Sequence, residues 1–189
     1  MKVTAFNGSP RKKGNTYFLL KAVCDVLEKE GIETEIVHIG DRNIHGCTAC
    51  MACKKNLNNR CAFDDDIINE SVEKIIKSDG ILLGSPVYFA GLSAQMKAFI
   101  DRVGYLGRPN QLLKRKVCAS VVAMRRNGAI AAFNSMNNLF TISESIIVGS
   151  SYWNQGVGRD MGDVSNDDEG MKTMNNLGQN MAWLLKKIV

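Results

Sequence analysis

The pattern that most constrains this chain's fold is an alternation of short apolar segments with longer amphipathic ones. Residues 3–7, 33–38, 80–84, 117–124 and 146–148 read as strands, and residues 16–29, 65–78, 94–103, 129–144 and 169–189 as helices. Strands this short and apolar are covered on both faces, and strands separated by helices pair in parallel. Right-handed crossovers then give an α/β sandwich of three layers, with helices on both faces of a five-stranded parallel sheet. A ligand in such a fold sits beyond the carboxyl ends of the strands, where the strand order reverses. No internal repeat, low-complexity tract or linker divides the chain, so residues 1–189 are expected to form a single domain.

Two connections break this economy. Residues 39–64 join the second strand to the second helix with 26 residues, whereas such loops usually have roughly 2 to 6 and long ones are commonly functional. That insert holds Cys47, Cys50, Cys53 and Cys61, four of the chain's 6 cysteines. The second long connection, residues 150–168, is rich in Gly, Asn and Asp and reads as an exposed loop over the same edge or at a subunit contact.

The thiols raise the question of compartment. No apolar run approaches the roughly 20 residues needed to span a bilayer, and the first residues lack the apolar centre of a secretory signal. The expectation is a cytoplasmic protein without a membrane role. Disulfides seldom persist there, so clustered thiols point to metal ligation or redox chemistry. The net charge of +5 is spread over short groups such as Arg11-Lys12-Lys13 and Lys114-Arg115-Lys116. No helix-turn-helix, RNA-recognition or zinc-finger spacing accompanies them, so nucleic acid is not an expected partner.

After the first strand the chain runs Gly8-Ser9-Pro10-Arg11-Lys12-Lys13-Gly14-Asn15-Thr16 and turns helical. A helix N-terminus presents unpaired N–H groups and a partial positive charge, which suits an anion. Ser9, Asn15 and Thr16 would add neutral donors and Arg11 a charged one, with Gly14 in the turn between them. Neither the Walker pattern nor G-x-G-x-x-G is present, so a single phosphate held largely by neutral groups fits better than a triphosphate or a dinucleotide.

The stretch GSPRKKGNT resembles the phosphate loop of the flavodoxin-like FMN reductase family. Residues 84–91, GSPVYFAG, together with 97–102, KAFIDR, resemble that family's second flavin-contacting segment and its following helix. The likeness covers nearly the whole chain and implies a flavodoxin-like sheet of order 2-1-3-4-5 with FMN as cofactor. In that order the third strand neighbours the first, so Pro86, Val87, Tyr88 and Phe89 can meet the ligand of the first loop. Tyr88 and Phe89 offer flat apolar surface to an isoalloxazine. The family's loop after the fourth strand also approaches flavin, which brings in Arg125 as a balance for negative charge.

The thiol spacing is C-x2-C-x2-C-x7-C. Three thiolates at intervals of three can wrap one corner of a cubane, with a fourth delivered by a flexible return, and bacterial ferredoxins use a similar triplet. Zinc sites more often pair two C-x2-C units set well apart, and a metal-free loop with reactive thiols is the third reading. The compact motif is similar to that of iron–sulfur flavoproteins, a subgroup of the same family, in which a [4Fe–4S] cluster exchanges electrons with FMN. That resemblance implies Cys47, Cys50, Cys53 and Cys61 as cluster ligands. Ala62 stands where ferredoxins carry a proline after the last cysteine.

The expected activity is that of an FMN-dependent oxidoreductase linking a one-electron donor such as ferredoxin to a small-molecule electron acceptor, or the reverse. Two alternatives stand beside it: an NAD(P)H-dependent FMN, quinone or nitro reductase without a cluster, and a non-enzymatic flavodoxin-like carrier. The family's flavin sites often lie at subunit contacts, which implies a homodimer or homotetramer. No side-chain acid, base or nucleophile is expected, and the Asp64-Asp65-Asp66 run should cap the second helix.

Overall fold

The computed structural model describes residues 1–189. Its strands are β1 (Lys2–Asn7), β2 (Glu33–His38), β3 (Gly80–Pro86), β4 (Val117–Met124), β5 (Ile146–Ile147) and β6 (Gln155–Val157). Its helices are α1 (Asn15–Lys29), α2 (Ala52–Asn56), α3 (Ile68–Ile76), α4 (Ala94–Asn110), α5 (Ala129–Ile142) and α6 (Asp168–Ile188). Every pairing is parallel, as the alternation predicts, and the sheet runs β2-β1-β3-β4-β5, the order the family resemblance implies, with β6 also on β4.

Each face of the sheet carries its own core. On one side Phe6, Ile81, Leu83 and Val122 pack under α3, α4 and α5. On the other, Val3, Ala5, Leu82 and Val121 pack under α1 and α6. Alternate residues of β1 and β3 therefore serve opposite layers, which explains why these strands read as continuous apolar runs.

Four details differ from the sequence expectation. The fifth strand is split: β5 pairs at Cys118 and β6 resumes at Val122, so seven edge residues, 148–154, stand opposite three of β4, 119–121, and the surplus loops out between Val148 and Asn154. That detour swings the rest of the 150–168 connection over the carboxyl end of β4. Helix α4 continues to Asn110, past the expected end at 103, because Gly104 lets it lie against Leu139 of α5, where a Cβ would meet Leu139 at 3.0 Å. The insert at 39–64 contains the short α2, which buries no residue. Finally, α3 begins at Ile68 rather than 65: Asp66 accepts the Ile68 N–H with one carboxylate oxygen and turns the other to Arg102.

Helices α1 and α6 pack tightly at Gly178, where a Cβ would stand 2.7 Å from Val26 Cβ and 3.1 Å from the Val23 carbonyl oxygen. The obstacle is a β-branched side chain and backbone, neither of which yields readily. Gly178→Val is expected to lower unfolding stability by about 1–3 kcal/mol through overpacking, read as a reduced midpoint in chemical denaturation; an unchanged midpoint would show that the two helices can part without cost.

Candidate functional site

The loop after β1 is held from behind by side chains. Ser9 donates its N–H to Asn7 Oδ1 at 3.0 Å, and Asn7 Nδ2 donates to the Lys12 carbonyl at 3.2 Å. Ser93 Oγ donates to the Gly8 carbonyl at 2.7 Å, accepts the Met96 N–H at the start of α4, and its own N–H reaches Ser85 Oγ at 3.1 Å. One serine thus caps a helix and joins the loops after β1 and β3. Gly40 completes the support, since a Cβ there would lie 2.0 Å from the Ser9 carbonyl oxygen.

In front of this loop lies a cleft of about 190 Å³. It brings together Ser9, Arg11, Gly14, Asn15, Thr16, Pro86, Val87, Tyr88 and Arg125, and adds Ala123, Met124, Gly158 and Arg159. The last two arrive on the segment after β6, anchored where Gly158 donates its N–H to the Met124 carbonyl at 2.9 Å. Nothing in the sequence pattern marked residues 155–157 as a strand; a three-residue edge is too short to show a period.

Thr16 Oγ1 is buried and has no hydrogen-bond partner, and α1 opens at Gly14 without a side-chain cap. A buried hydroxyl without a partner costs roughly 1–3 kcal/mol, so this one fits an acceptor that the cleft receives. The helix N-terminus and the hydroxyl together suit a phosphate. The arginines that find carboxylates are Arg42, Arg60 and Arg102; Arg11, Arg125 and Arg159 remain available for an anion at the cleft.

Two predicted residues take other positions. The Asn15 side chain faces away from a phosphate: its Oδ1 accepts the N–H groups of Gly162 and Val164, and its Nδ2 donates to the Asp160 carbonyl, pinning the segment that carries Arg159. Phe89 does not line the cleft. It occupies the tip of a tight turn closed by reciprocal Tyr88–Gly91 bonds, with Phe89 at φ 47 and Ala90 at φ 58, and this left-handed backbone turns its ring fully into solvent. Two consecutive non-glycine residues in that region cost roughly 1–2 kcal/mol each. Val87 anchors the turn by donating its N–H to the Ala123 carbonyl at 2.9 Å.

The thiol loop is fixed at both ends by buried polar side chains. At its start, Arg102 of α4 is 3% exposed and pairs with Asp66 at 2.8 Å, while the same nitrogen reaches the His45 carbonyl at 3.2 Å. At its end, Asn69 of α3 accepts the Cys61 N–H at 2.8 Å and donates to the carbonyls of Cys61 and Phe63. Between these clamps Ala49 and Met51 have left-handed backbone, φ 53 and 64, and no N–H from His45 to Cys53 donates a hydrogen bond within the chain. Successive free N–H groups around left-handed residues form the concavities that hold anions and iron–sulfur clusters.

All six thiols are free. The Cys53 thiol is pushed up by partial burial, with further upward pressure from Cys47 and Cys50, so these three groups sense one another. Its Sγ donates to the Tyr105 carbonyl at 3.8 Å. A tetrahedral zinc with bonds of about 2.3 Å needs sulfurs about 3.8 Å apart, yet the one set of three donors within 4.8 Å of each other is His45, Asp65 and Asp66. Cys24 and Cys118 behave as small core residues, their thiols pushed by burial up to about 11 and about 12.

Residues 1–159 match the family model described as NADPH-dependent FMN reductase. An iron-sulfur flavoprotein of Methanocaldococcus jannaschii is 38% identical over 198 residues, covering 100% of this chain and 99% of that protein. An iron-sulfur flavoprotein of Methanosarcina thermophila is 34% identical over 190 residues, covering 100% and 97%. Among solved structures, a flavodoxin-type WrbA-like protein from Agrobacterium tumefaciens superposes with a TM-score of 0.66 at 15% identity, covering 98% of this chain and 97% of that one. No helix here is long and apolar enough to cross a membrane. The chain belongs to the NADPH-dependent FMN reductase family, in its iron–sulfur flavoprotein branch, and is a flavin-dependent oxidoreductase that takes FMN as cofactor.

Proposed function

We propose that this oxidoreductase passes single electrons between a [4Fe–4S] cluster on Cys47, Cys50, Cys53 and Cys61 and FMN held in the 190 Å³ cleft. The observation that carries the reading is the thiol loop itself: four free cysteines on a loop clamped at both ends, with a run of unpaired N–H groups between the clamps. FMN, when bound, supplies a centre that accepts one or two electrons, and a cubane supplies one-electron exchange.

The chain's own groups bind and orient. Ser9, the opening N–H groups of α1 and Thr16 Oγ1 hold the phosphate, with Arg11 adding charge. Pro86, Val87 and Tyr88 form the wall against which the ring lies, and Arg125 and Arg159 bring positive charge to its rim. The donor in this reading is a ferredoxin-type carrier or NAD(P)H, and the acceptor a small molecule, met in the cytoplasm. Cys53 lies against Tyr105, twelve residues beyond Ser93 on α4, a helical run of roughly 18 Å. That distance favours a homodimer or homotetramer in which one chain's thiol loop stands beside another's cleft, and the fully exposed Phe89 suits such a contact.

Anaerobically purified protein is expected to contain iron and acid-labile sulfide on the order of four each per chain. Cys50→Ala should remove the non-flavin absorbance while FMN stays bound. Absence of iron in the anaerobic wild type would leave the NAD(P)H-dependent, cluster-free reductase as the function. Thr16→Val, which fills the same space without a hydroxyl, should weaken FMN binding by about tenfold through loss of one phosphate bond and leave riboflavin binding unchanged. Equal losses for both flavins would move Thr16 out of the phosphate site.

A further inference from the structure

The segment after β6 reaches the cleft from the far edge of the sheet, and a side chain of α1 fixes it there. Asn15 Oδ1 accepts the N–H groups of Gly162 at 2.9 Å and Val164 at 3.4 Å, and Asn15 Nδ2 donates to the Asp160 carbonyl at 2.9 Å. Gly158 lies against the same amide, since a Cβ there would stand 2.7 Å from Asn15 Nδ2. Residues 158–162 are therefore seated on the first residue of α1, next in sequence to Thr16, whose hydroxyl has no partner. Arg159 stands in this seat and lines the cleft. We propose that Arg159 reaches from the rim of the cleft to the FMN phosphate and binds it, and that Asn15 is its positioning residue, holding the segment rather than the ligand. This rests on the reading that residues 8–16 take the FMN phosphate.

The acidic residues around Arg159 hold backbone instead of its guanidinium. Asp163 Oδ2 accepts the N–H groups of Arg159 at 3.2 Å and Asp160 at 2.8 Å, closing a turn over Gly162, whose φ of 92 suits glycine. Asp167 accepts the N–H groups of Val157 at 2.7 Å and Gly170 at 3.0 Å, joining the segment to the start of α6. The arginines that form ion pairs are Arg42, Arg60 and Arg102. No carboxylate pairs with Arg159, so its planar fork of donors is open to a phosphate. The anchors thus fix where the Arg159 backbone stands without neutralising its side chain. A segment already ordered gives up little conformational freedom when a ligand arrives.

Three variants separate position from charge. Arg159→Gln removes the cation, Asn15→Ala removes the seat, and Asp163→Ala loosens the same turn at a residue outside the cleft. FMN release on diluting the holoprotein, followed by flavin fluorescence, gives the FMN dissociation constant, and competition against bound FMN gives that of riboflavin. Each variant is expected to weaken FMN binding by about tenfold and to leave riboflavin binding unchanged. The double variant Asn15→Ala with Arg159→Gln should bind FMN no more weakly than the weaker of the two singles, because removing the seat matters only while the cation is there. Losses that multiply would separate Arg159 from Asn15 and overturn the positioning role.

Asp163→Ala gives a readout that charge alone would move the other way. It takes a negative charge away from an anion site, so unaltered positioning would leave FMN bound as tightly or more tightly; that result would overturn the inference, and weaker binding supports it. Riboflavin affinity falling in step with FMN affinity in any single variant would refute the phosphate contact, since the segment would then hold the ring or the fold. Selective loss of FMN in Thr16→Val with none in Arg159→Gln would overturn this inference alone and leave the phosphate-loop reading standing. Riboflavin competing as well as FMN for the wild type would remove that reading, and this inference with it.

Discussion

The reversal of winding between β1 and β3 is the constraint on which the rest of the molecule depends. The chain leaves β1 towards β2 on one side and returns to β3 on the other, with both pairings parallel. The loops after β1 and β3 therefore diverge at the carboxyl edge and leave a crevice between them. Every contributor to the cleft follows from this: the opening of α1, the turn at 86–91, and the segment after β6 that closes the far wall. Ser93 ties the two diverging loops together through the Gly8 carbonyl, so the width of the crevice is set by a buried hydrogen bond rather than by side-chain packing alone.

The thiol loop obeys a second constraint, because it lies outside the sheet and has no ladder to define it. Its shape comes from Arg102 and Asn69, both buried and both bonded to loop backbone. A buried ion pair such as Arg102–Asp66 adds little net stability over an apolar pair of the same size, but breaking it leaves an uncompensated charge that costs about 3–5 kcal/mol. Its value here is therefore in fixing one arrangement: Asp66 also accepts the first N–H of α3, and Arg102 also stacks near Phe63 at 5.7 Å, so three segments share a single geometry.

How much of this was legible follows from the range of the interactions. The strands and helices repeat at short period, and the alternation placed β1, β2, β4 and α1 within a residue of their ends. That Ser9, Gly14 and Thr16 line one cleft was legible for the same reason: they are neighbours in sequence on a single turn. What escaped was long in range. Asn69 meets Cys61 across α3's start, Arg102 meets His45 57 residues away, and Asn15 meets Gly162 147 residues away. Nothing in the sequence marks His38, because the Ser9 carbonyl that engages it belongs to another strand's loop 29 residues away. The split of the edge into β5 and β6 was hidden by segments too short to carry a pattern, and Arg159 with it.

The same accounting gives the cleft its affinity. Three polar groups of the loop after β1 are satisfied from behind: the Gly8 carbonyl by Ser93, the Ser9 N–H by Asn7, the Ser9 carbonyl by His38. A loop so held does not have to be ordered when the ligand arrives, and the entropy of ordering is spent in folding rather than in binding. Thr16 Oγ1 is the exception, buried without a partner. Its roughly 1–3 kcal/mol penalty is one that a ligand oxygen in the cleft would relieve, and in the proposed reading a deficit in the fold becomes a contribution to binding. In the proposed reading, support from behind with the opening N–H groups of α1 and the Thr16 hydroxyl left open would favour a flavin that carries a phosphate over one that does not.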